Sequence, residues 1–119
     1  MKIAISTTGN NLDAEVELRF GRASSFLLFD TETKEFLILD NSVQVNAMQG
    51  AGIKTAQNIV TAGAEALISG HCGPKAMQVL NAKKVAVYVT GKNIISTVIS
   101  QLQAGLLEQI TTPDVAGHV

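Results

Sequence analysis

The sequence predicts a single α/β domain built on a mixed β-sheet. Two observations indicate this class. Two apolar runs in the first half are separated by only four polar residues, and in the second half apolar runs alternate with segments of helical periodicity. A chain of 119 residues has room for one domain, since domains contain roughly 100–200 residues. With 46% hydrophobic residues the chain can form a packed core without a metal or a disulfide. We expect the domain to span residues 1–107 and residues 108–119 to form a C-terminal tail.

Three strands are predicted in the first half of the chain. Residues 2–6 form a short apolar run that stops at a polar, turn-rich segment, and this loop continues to residue 19. Residues 26–30 and 35–40 are two further apolar runs. Because only residues 31–34 separate them, these runs predict an antiparallel hairpin.

The second half of the chain predicts helices that alternate with strands. Four apolar residues recur at the spacing of one helix face, which predicts a helix over residues 50–62 with Gly63 at its C-terminal cap. These residues are Ile53, Ala56, Ile59 and Val60. The remaining predicted elements are a buried strand at 66–69, a helix at 74–82, a strand at 85–89 and a helix at 93–103.

The predicted connections determine the expected order of the sheet. Strands joined through a helix run parallel with right-handed crossovers, so strand one is expected at the centre, between the hairpin and strands four and five. The result is a five-stranded sheet of order 3-2-1-4-5, with only strand two antiparallel and with helices on both faces. This is the arrangement of the ribonuclease H-like three-layer fold class. The residues expected to form its core are Ile3, Ile5, Leu28, Ile38, Ile59, Leu67, Val87 and Ile99.

Charge and cysteine content exclude several classes of function. Nine Lys and Arg residues against ten Asp and Glu residues give a net charge of -1, which argues against a nucleic-acid domain held by phosphate neutralisation. The single cysteine excludes an intrachain disulfide and a four-thiolate metal site built from one chain, and it favours a reducing compartment. No apolar run reaches the roughly 18 residues that a membrane span needs. We therefore expect a cytoplasmic protein that binds neither nucleic acid nor membranes.

The most informative loop follows the fourth strand. The carboxyl ends of the parallel strands share one edge of the sheet, where open α/β sheets bind ligands. Residues 70–73 lie there, include His71 and Cys72, and lead into a helix with Pro74 at its first position. Backbone N–H groups at such a helix start bind anions, and together with Lys75 they favour the thiolate form of Cys72. The alternative interpretations are a small apolar core side chain for Cys72 and a capping role for His71.

Other loops at the same edge contain further candidates. Arg19 and Arg22 flank a glycine before the second strand, and they either bind an anion bidentately or point into solvent. Lys92 follows the fifth strand. Met48 is either a thioether ligand for a soft metal or a packing residue. The sequence contains no P-loop and no cluster of carboxylates, which argues against P-loop nucleotide binding and two-metal nuclease chemistry.

Two short runs resemble a known family. Arg-Phe-Gly-Arg-Ala at residues 19–23 and Cys-Gly-Pro-Lys-Ala at residues 72–76 are similar, in this order, to the dinitrogenase iron-molybdenum cofactor biosynthesis family. The resemblance covers the chain to residue 107 and implies a ribonuclease H-like fold. It also implies an accessory or carrier protein, not an enzyme, whose cargo is an anionic metal–sulfur cluster of molybdenum with iron or copper. The implied partners are the proteins that donate and accept this cluster, and the carrier itself is expected to be a monomer or a weak homodimer.

The site expected from this resemblance has two sets of residues. The expected metal ligands are Cys72, His71 and Met48. The residues expected to hold the cluster by charge and backbone N–H donors are Arg19, Arg22, Gly70, Gly73, Lys75 and Lys92. Two other interpretations remain open. One is a regulatory module that binds a small anion or a nucleotide at the same helix start, and the other is an enzyme with Cys72 as nucleophile and His71 as base.

Overall fold

The structure, a computed structural model, describes residues 1–45 and 51–112. Its strands are β1 (Lys2–Thr7), β2 (Ser25–Asp30), β3 (Phe36–Asp40), β4 (Ala66–Ser69), β5 (Ala86–Val89) and β6 (Glu108–Ile110). Its helices are α1 (Ser42–Val45), α2 (Ala51–Thr61), α3 (Pro74–Ala82) and α4 (Ile95–Gln103), with a 3-10 turn at Phe20–Arg22. The predicted hairpin and the three predicted helices are confirmed. None of the described helices has the length and apolar composition of a membrane span.

Six strands form the sheet, in the order β3-β2-β1-β4-β5-β6. β1 lies antiparallel to β2 and parallel to β4, and β4 lies parallel to β5, so the predicted order of the first five strands is correct. The predicted count of five is wrong, because residues 108–110 form β6 and pair antiparallel with β5. Strand two is therefore not the only antiparallel strand. Three residues with one apolar side chain give no periodic signal, which is why sequence analysis missed β6. The ribonuclease H-like assignment stays a prediction.

Both faces of the sheet are covered by helices, which explains why the apolar run of β1 is continuous. Side chains alternate along the strand: Ala4 faces the layer of α2 and α3, whereas Ile3 and Ile5 face α4. The predicted core residues are buried except for Ile38, which is half-buried because β3 lies at the edge of the sheet. The buried ones are Ile3, Ile5, Leu28, Ile59, Leu67, Val87 and Ile99.

Gly63 ends α2 as predicted and returns the chain to the sheet. Its φ is +91°, a conformation that favours glycine. Its N–H donates to the carbonyl of Val60 at 3.0 Å, and the N–H of Ala64 donates to the carbonyl of Ile59 at 3.3 Å. These bonds satisfy carbonyl groups at the helix end, and β4 follows two residues after Ala64.

Candidate anion-binding site

Four loops meet at the edge of the sheet where β1, β3, β4 and β5 end. β3 runs parallel to β1 because both are antiparallel to β2, so the loops that follow these strands lie on the same side, as expected. The described parts of these loops are residues 8–24, 41–45, 70–73 and 90–94. Met48 lies outside the described residues, so its predicted ligand role has no structural counterpart here.

Backbone hydrogen bonds hold the loop after β1 against the loop after β4. The N–H of Phe20 donates to the carbonyl of His71 at 3.0 Å, and the N–H of His71 donates to the carbonyl of Leu18 at 2.6 Å. The resulting parallel bridge places Arg19 directly beside His71. A Cβ built on Gly70 would collide with the carbonyl oxygen of Leu18, so this close approach requires glycine. Gly70 therefore determines how near the two predicted site loops come to each other.

Buried hydroxyl groups at the ends of β1 and β4 anchor the same loop. Ser6 Oγ donates to the carbonyl of Glu17 at 2.6 Å and lies 2.9 Å from Ser69 Oγ. Thr7 Oγ1 donates to the carbonyl of Glu15 at 2.8 Å. Both hydroxyls thus fix the extended segment that leads to the Arg-Phe-Gly-Arg run. Sequence analysis missed these residues, although hydroxyl side chains at the ends of apolar strands are a usable signal.

A second buried polar pair holds the other side of this run. Asn41, at the end of β3, donates from Nδ2 to the carbonyl of Ala23 at 2.8 Å, and its Oδ1 accepts a hydrogen bond from Thr55 Oγ1 on α2 at 3.1 Å. Asn41 and Thr55 are both buried. These hydrogen bonds therefore link the segment that contains Arg22 to β3 and to α2. They are costly to break, because a buried polar group that loses its partner raises the free energy of the folded state.

The start of α3 presents backbone N–H groups without a competing acidic side chain. Its N-cap is Gly73, with φ -76° and ψ 169°, and Pro74 occupies the first turn. Gly73 has no side chain that could cap the helix, and the first turn contains no acidic residue. The first N–H groups of a helix lack intrahelical partners, and the positive end of the helix dipole lies at the same place. This arrangement is the one that binds anions at helix starts.

α2 packs beside α3 at this end of the molecule. A Cβ built on Gly52 would lie 3.7 Å from the Cβ of Ala76, so the first turns of the two helices are in van der Waals reach of each other. The first turn of α2 also contains no acidic residue. Neither first turn therefore supplies a negative charge that would repel an anion at this corner.

The predicted basic residues are all exposed at this edge, but they are spread along it. Arg19 Nε donates to Glu17 Oε1 at 3.3 Å, with 60% of the Arg19 side chain exposed. An ion pair so open to water is weak, so this guanidinium can turn toward a ligand. Arg22 ends the 3-10 turn before β2, Lys75 lies in the first turn of α3, and Lys92 follows β5. Arg22 thus lies in the loop that follows β1, whereas Lys92 lies in the loop that follows β5.

Cys72 and His71 point in different directions. Cys72 is fully buried, in the apolar cluster beneath α2 and α3 that includes Phe20 and Met77. His71 is exposed beside Arg19. Within residues 1–45 and 51–112, no three His, Cys, Asp or Glu side chains are grouped so that they could hold a metal ion. The roles of Cys72 and His71 as metal ligands stay predictions.

The fold defines the class of protein: a small α/β protein with a mixed sheet and loops at one edge. More narrowly, the chain belongs to the dinitrogenase iron-molybdenum cofactor family, whose model matches residues 1–105. The family resemblance inferred from the sequence is therefore confirmed, and it relates the chain to iron-molybdenum cofactor biosynthesis and to cluster-binding proteins.

Solved structures agree with this assignment. The apo form of the orange protein from Desulfovibrio gigas is 31% identical, with a TM-score of 0.92 over 96% of both chains. A NifB-like protein from Thermotoga, of the DUF35 family, is 32% identical, with a TM-score of 0.85 over 98% of both chains. A dinitrogenase-related protein from Methanocaldococcus jannaschii is 22% identical, with a TM-score of 0.68 over 95% of this chain and 97% of that chain, and shares the fold. No curated protein sequence matches this chain.

Proposed function

We propose that this protein binds an anionic metal–sulfur cluster at the strand-end edge and carries it in the cytoplasm between the proteins that donate and accept it. The observation that supports this most directly is the start of α3, whose first turn contains no acidic residue and which follows directly after the loop in which His71 pairs with Arg19. Family membership supports the choice of cargo. The protein is a carrier in this proposal and not an enzyme.

The cluster is held mainly by positive charge and by backbone N–H donors. A sulfide cluster of molybdenum with iron or copper brings its own bridging sulfide ligands, so the protein need not supply a complete set of metal-ligating side chains. This fits the described residues, which contain no such set. Backbone N–H groups and exposed Arg and Lys side chains are suitable donors to an anionic sulfide surface. Contacts of this type are weakened by salt, so the cargo can be released.

Cys72 contributes a ligand in this proposal only when the loop of residues 70–73 opens, because its side chain is buried in the core when the loop is closed. His71 is exposed and can contact the cluster without such a change. The variant Cys72→Ser separates the two states. In this variant we expect the contacts that basic side chains and backbone N–H groups make with the cluster to persist. If the charge-transfer absorption of the bound cluster shifts relative to that of the parent, the Cys72 thiolate is a ligand of the cluster.

The experiment is an anaerobic titration of the protein with tetrathiomolybdate, a metal sulfide anion whose visible absorption reports binding. We expect Arg19→Ala to weaken binding about ten-fold, which corresponds to about 1.4 kcal/mol, and to make the remaining affinity less sensitive to salt. Lys83→Ala is the matched control, since Lys83 is an exposed cation at the opposite end of α3. It should bind like the parent.

Three outcomes would contradict the proposal. If the parent does not bind tetrathiomolybdate at about 1 mM, a range in which even weak specific ligands are detected, the edge does not hold metal sulfides. If inorganic phosphate competes with equal affinity, the site is a module for small anions, as the alternative interpretation predicts. Equal effects of Arg19→Ala and Lys83→Ala would place the bound anion elsewhere on the surface.

A further inference from the structure

The open edge of the sheet at β3 has the features of a pairing surface. β3 is the outermost strand on its side, and its sequence Phe-Leu-Ile-Leu-Asp has no proline and no charge before its last residue. Phe36 is 40% exposed and Leu37 is 52% exposed. Edge strands of monomeric proteins are commonly shortened, charged or covered to prevent pairing. Within the described residues, β3 has its only charge at Asp40, and its first two side chains are exposed.

The opposite edge of the sheet is different. β6 has three residues and begins with Glu108. The chain beyond it is tied back to the protein, because Asn81 Nδ2 donates to the carbonyl of Thr111 at 2.8 Å. A short, charged and tethered edge strand is a poor template for another strand. The asymmetry between the two edges therefore directs any strand pairing to β3.

The backbone of β3 shows which groups are available. The N–H of Asp30 donates to the carbonyl of Glu35 at 2.9 Å, and the register pairs residue 28 with residue 37 and residue 26 with residue 39. Hydrogen-bonding groups alternate along an antiparallel strand, so residues 35, 37 and 39 face β2. The N–H and C=O groups of Phe36 and Ile38 consequently point to the open side.

We propose that β3 pairs antiparallel with β3 of a second copy of this chain, about a two-fold axis at Leu37. In this register Leu37 faces its own counterpart, and Phe36 faces Ile38 of the second copy with their open backbone groups aligned. The Asp40 carboxylates lie beyond these apolar pairs, one at each end of the interface. An axis at Ile38 would instead place Phe36 opposite the Asp40 carboxylate, so hydrophobicity selects the axis at Leu37.

The pairing joins two six-stranded sheets into one of twelve strands. An interface made by two five-residue strands is small, so the dimer is weak, with a dissociation constant on the order of 100 µM. Leu37 also lines a surface hollow of about 290 Å³ next to Leu28, and the second copy covers apolar surface there. The contact uses none of the residues assigned to the anion site, so it does not depend on the proposed function.

Sedimentation equilibrium of the parent from about 10 µM to about 1 mM brackets the expected dissociation constant. The parent should change from monomer to dimer over this range, and Leu37→Lys should weaken dimerisation at least about ten-fold, which is about 1.4 kcal/mol. Leu106→Lys is the matched control, because Leu106 is 73% exposed and lies outside β3. A parent that stays monomeric, or a dimer that Leu37→Lys and Leu106→Lys affect equally, overturns the proposal.

Cross-linking tests the register. Residues directly opposite in a non-hydrogen-bonded antiparallel pair have Cα atoms about 4.5 Å apart, which is within the range for a disulfide. Oxidised Leu37→Cys should therefore form a covalent dimer much faster than Ile38→Cys or the exposed control Leu106→Cys, and the native Cys72 does not interfere because it is buried. Equal rates in the three variants overturn the axis at Leu37.

Discussion

Replacing Gly70 with alanine tests whether the close contact between two loops positions the anion site. A Cβ at residue 70 would lie 2.7 Å from both the Cα and the Cβ of Leu18 and would collide with its carbonyl oxygen, so the segment of residues 17–20 must move away. This movement disrupts the hydrogen bonds between His71 and Leu18 and between Phe20 and His71. At about 0.5–1.5 kcal/mol for each bond, we expect Gly70→Ala to lower the free energy of unfolding by about 1–3 kcal/mol.

Urea denaturation followed by circular dichroism measures this loss. Gly91→Ala is the matched control, because Gly91 is exposed and a Cβ built on it has no atom within 4 Å. Its stability should change by less than about 0.5 kcal/mol. Gly70→Ala should also bind tetrathiomolybdate more weakly than the control, since the loop that contains Arg19 is displaced from the loop of residues 70–73. If the two variants have equal stability and equal affinity, the contact at Gly70 does not position the site and the reasoning is refuted.

Three further predictions concern the core, a buried polar pair and the response to acid. Leu67→Ala removes a fully buried side chain from the middle of β4, and its free energy of unfolding should fall by about 2–5 kcal/mol in urea denaturation. Thr55→Val keeps the shape of the side chain but leaves the buried Oδ1 of Asn41 without its donor, so its free energy of unfolding should fall by about 1–3 kcal/mol. The control Thr61→Val, at the exposed threonine that ends α2, should change little. The backbone N–H of Ser42 lowers the pKa of Asp40 below its ordinary value of 3.8. This group therefore stabilises the fold above that value, and the contribution is lost as pH falls through the lowered pKa, so Asp40→Asn should lose less stability than the parent in unfolding measured between pH 5 and pH 2.

Much of the fold is predictable because most elements combine an apolar pattern with a clear end. The hairpin has four polar residues between two apolar runs. The C-terminal end of α2 is marked by Gly63, because its positive φ favours glycine. β6 has neither property. β6 forms because the backbone of Val87 and its neighbours in β5 can pair with a strand on the side away from β4. This pairing is a tertiary effect that a segment of three residues does not reveal.

The sequence predicts which loops share the strand-end edge, but not which of their side chains are buried. Sequence analysis located the strand-end edge because the topology places the loop residues there. It could not decide whether the side chain of His71 or that of Cys72 faces the interior, since neighbouring residues in extended backbone point to opposite sides. The parallel bridge to Arg19 decides the question: it orients the backbone so that His71 is exposed and Cys72 packs with Phe20.

In the proposed carrier, the same arrangement accounts for both binding and release of the cargo. The anchoring groups, such as the hydroxyl of Ser6 and the amide of Asn41, are buried and keep the loops in place before any ligand arrives. The groups that would meet the anion, such as Arg19 and Lys75, are exposed to water. Preorganisation reduces the entropy lost on binding, whereas exposed charge contacts are screened over about 8 Å at physiological salt. An anchored loop with solvent-exposed charges therefore favours specific but reversible binding, which is the property that the proposed carrier requires and a permanent cofactor site does not.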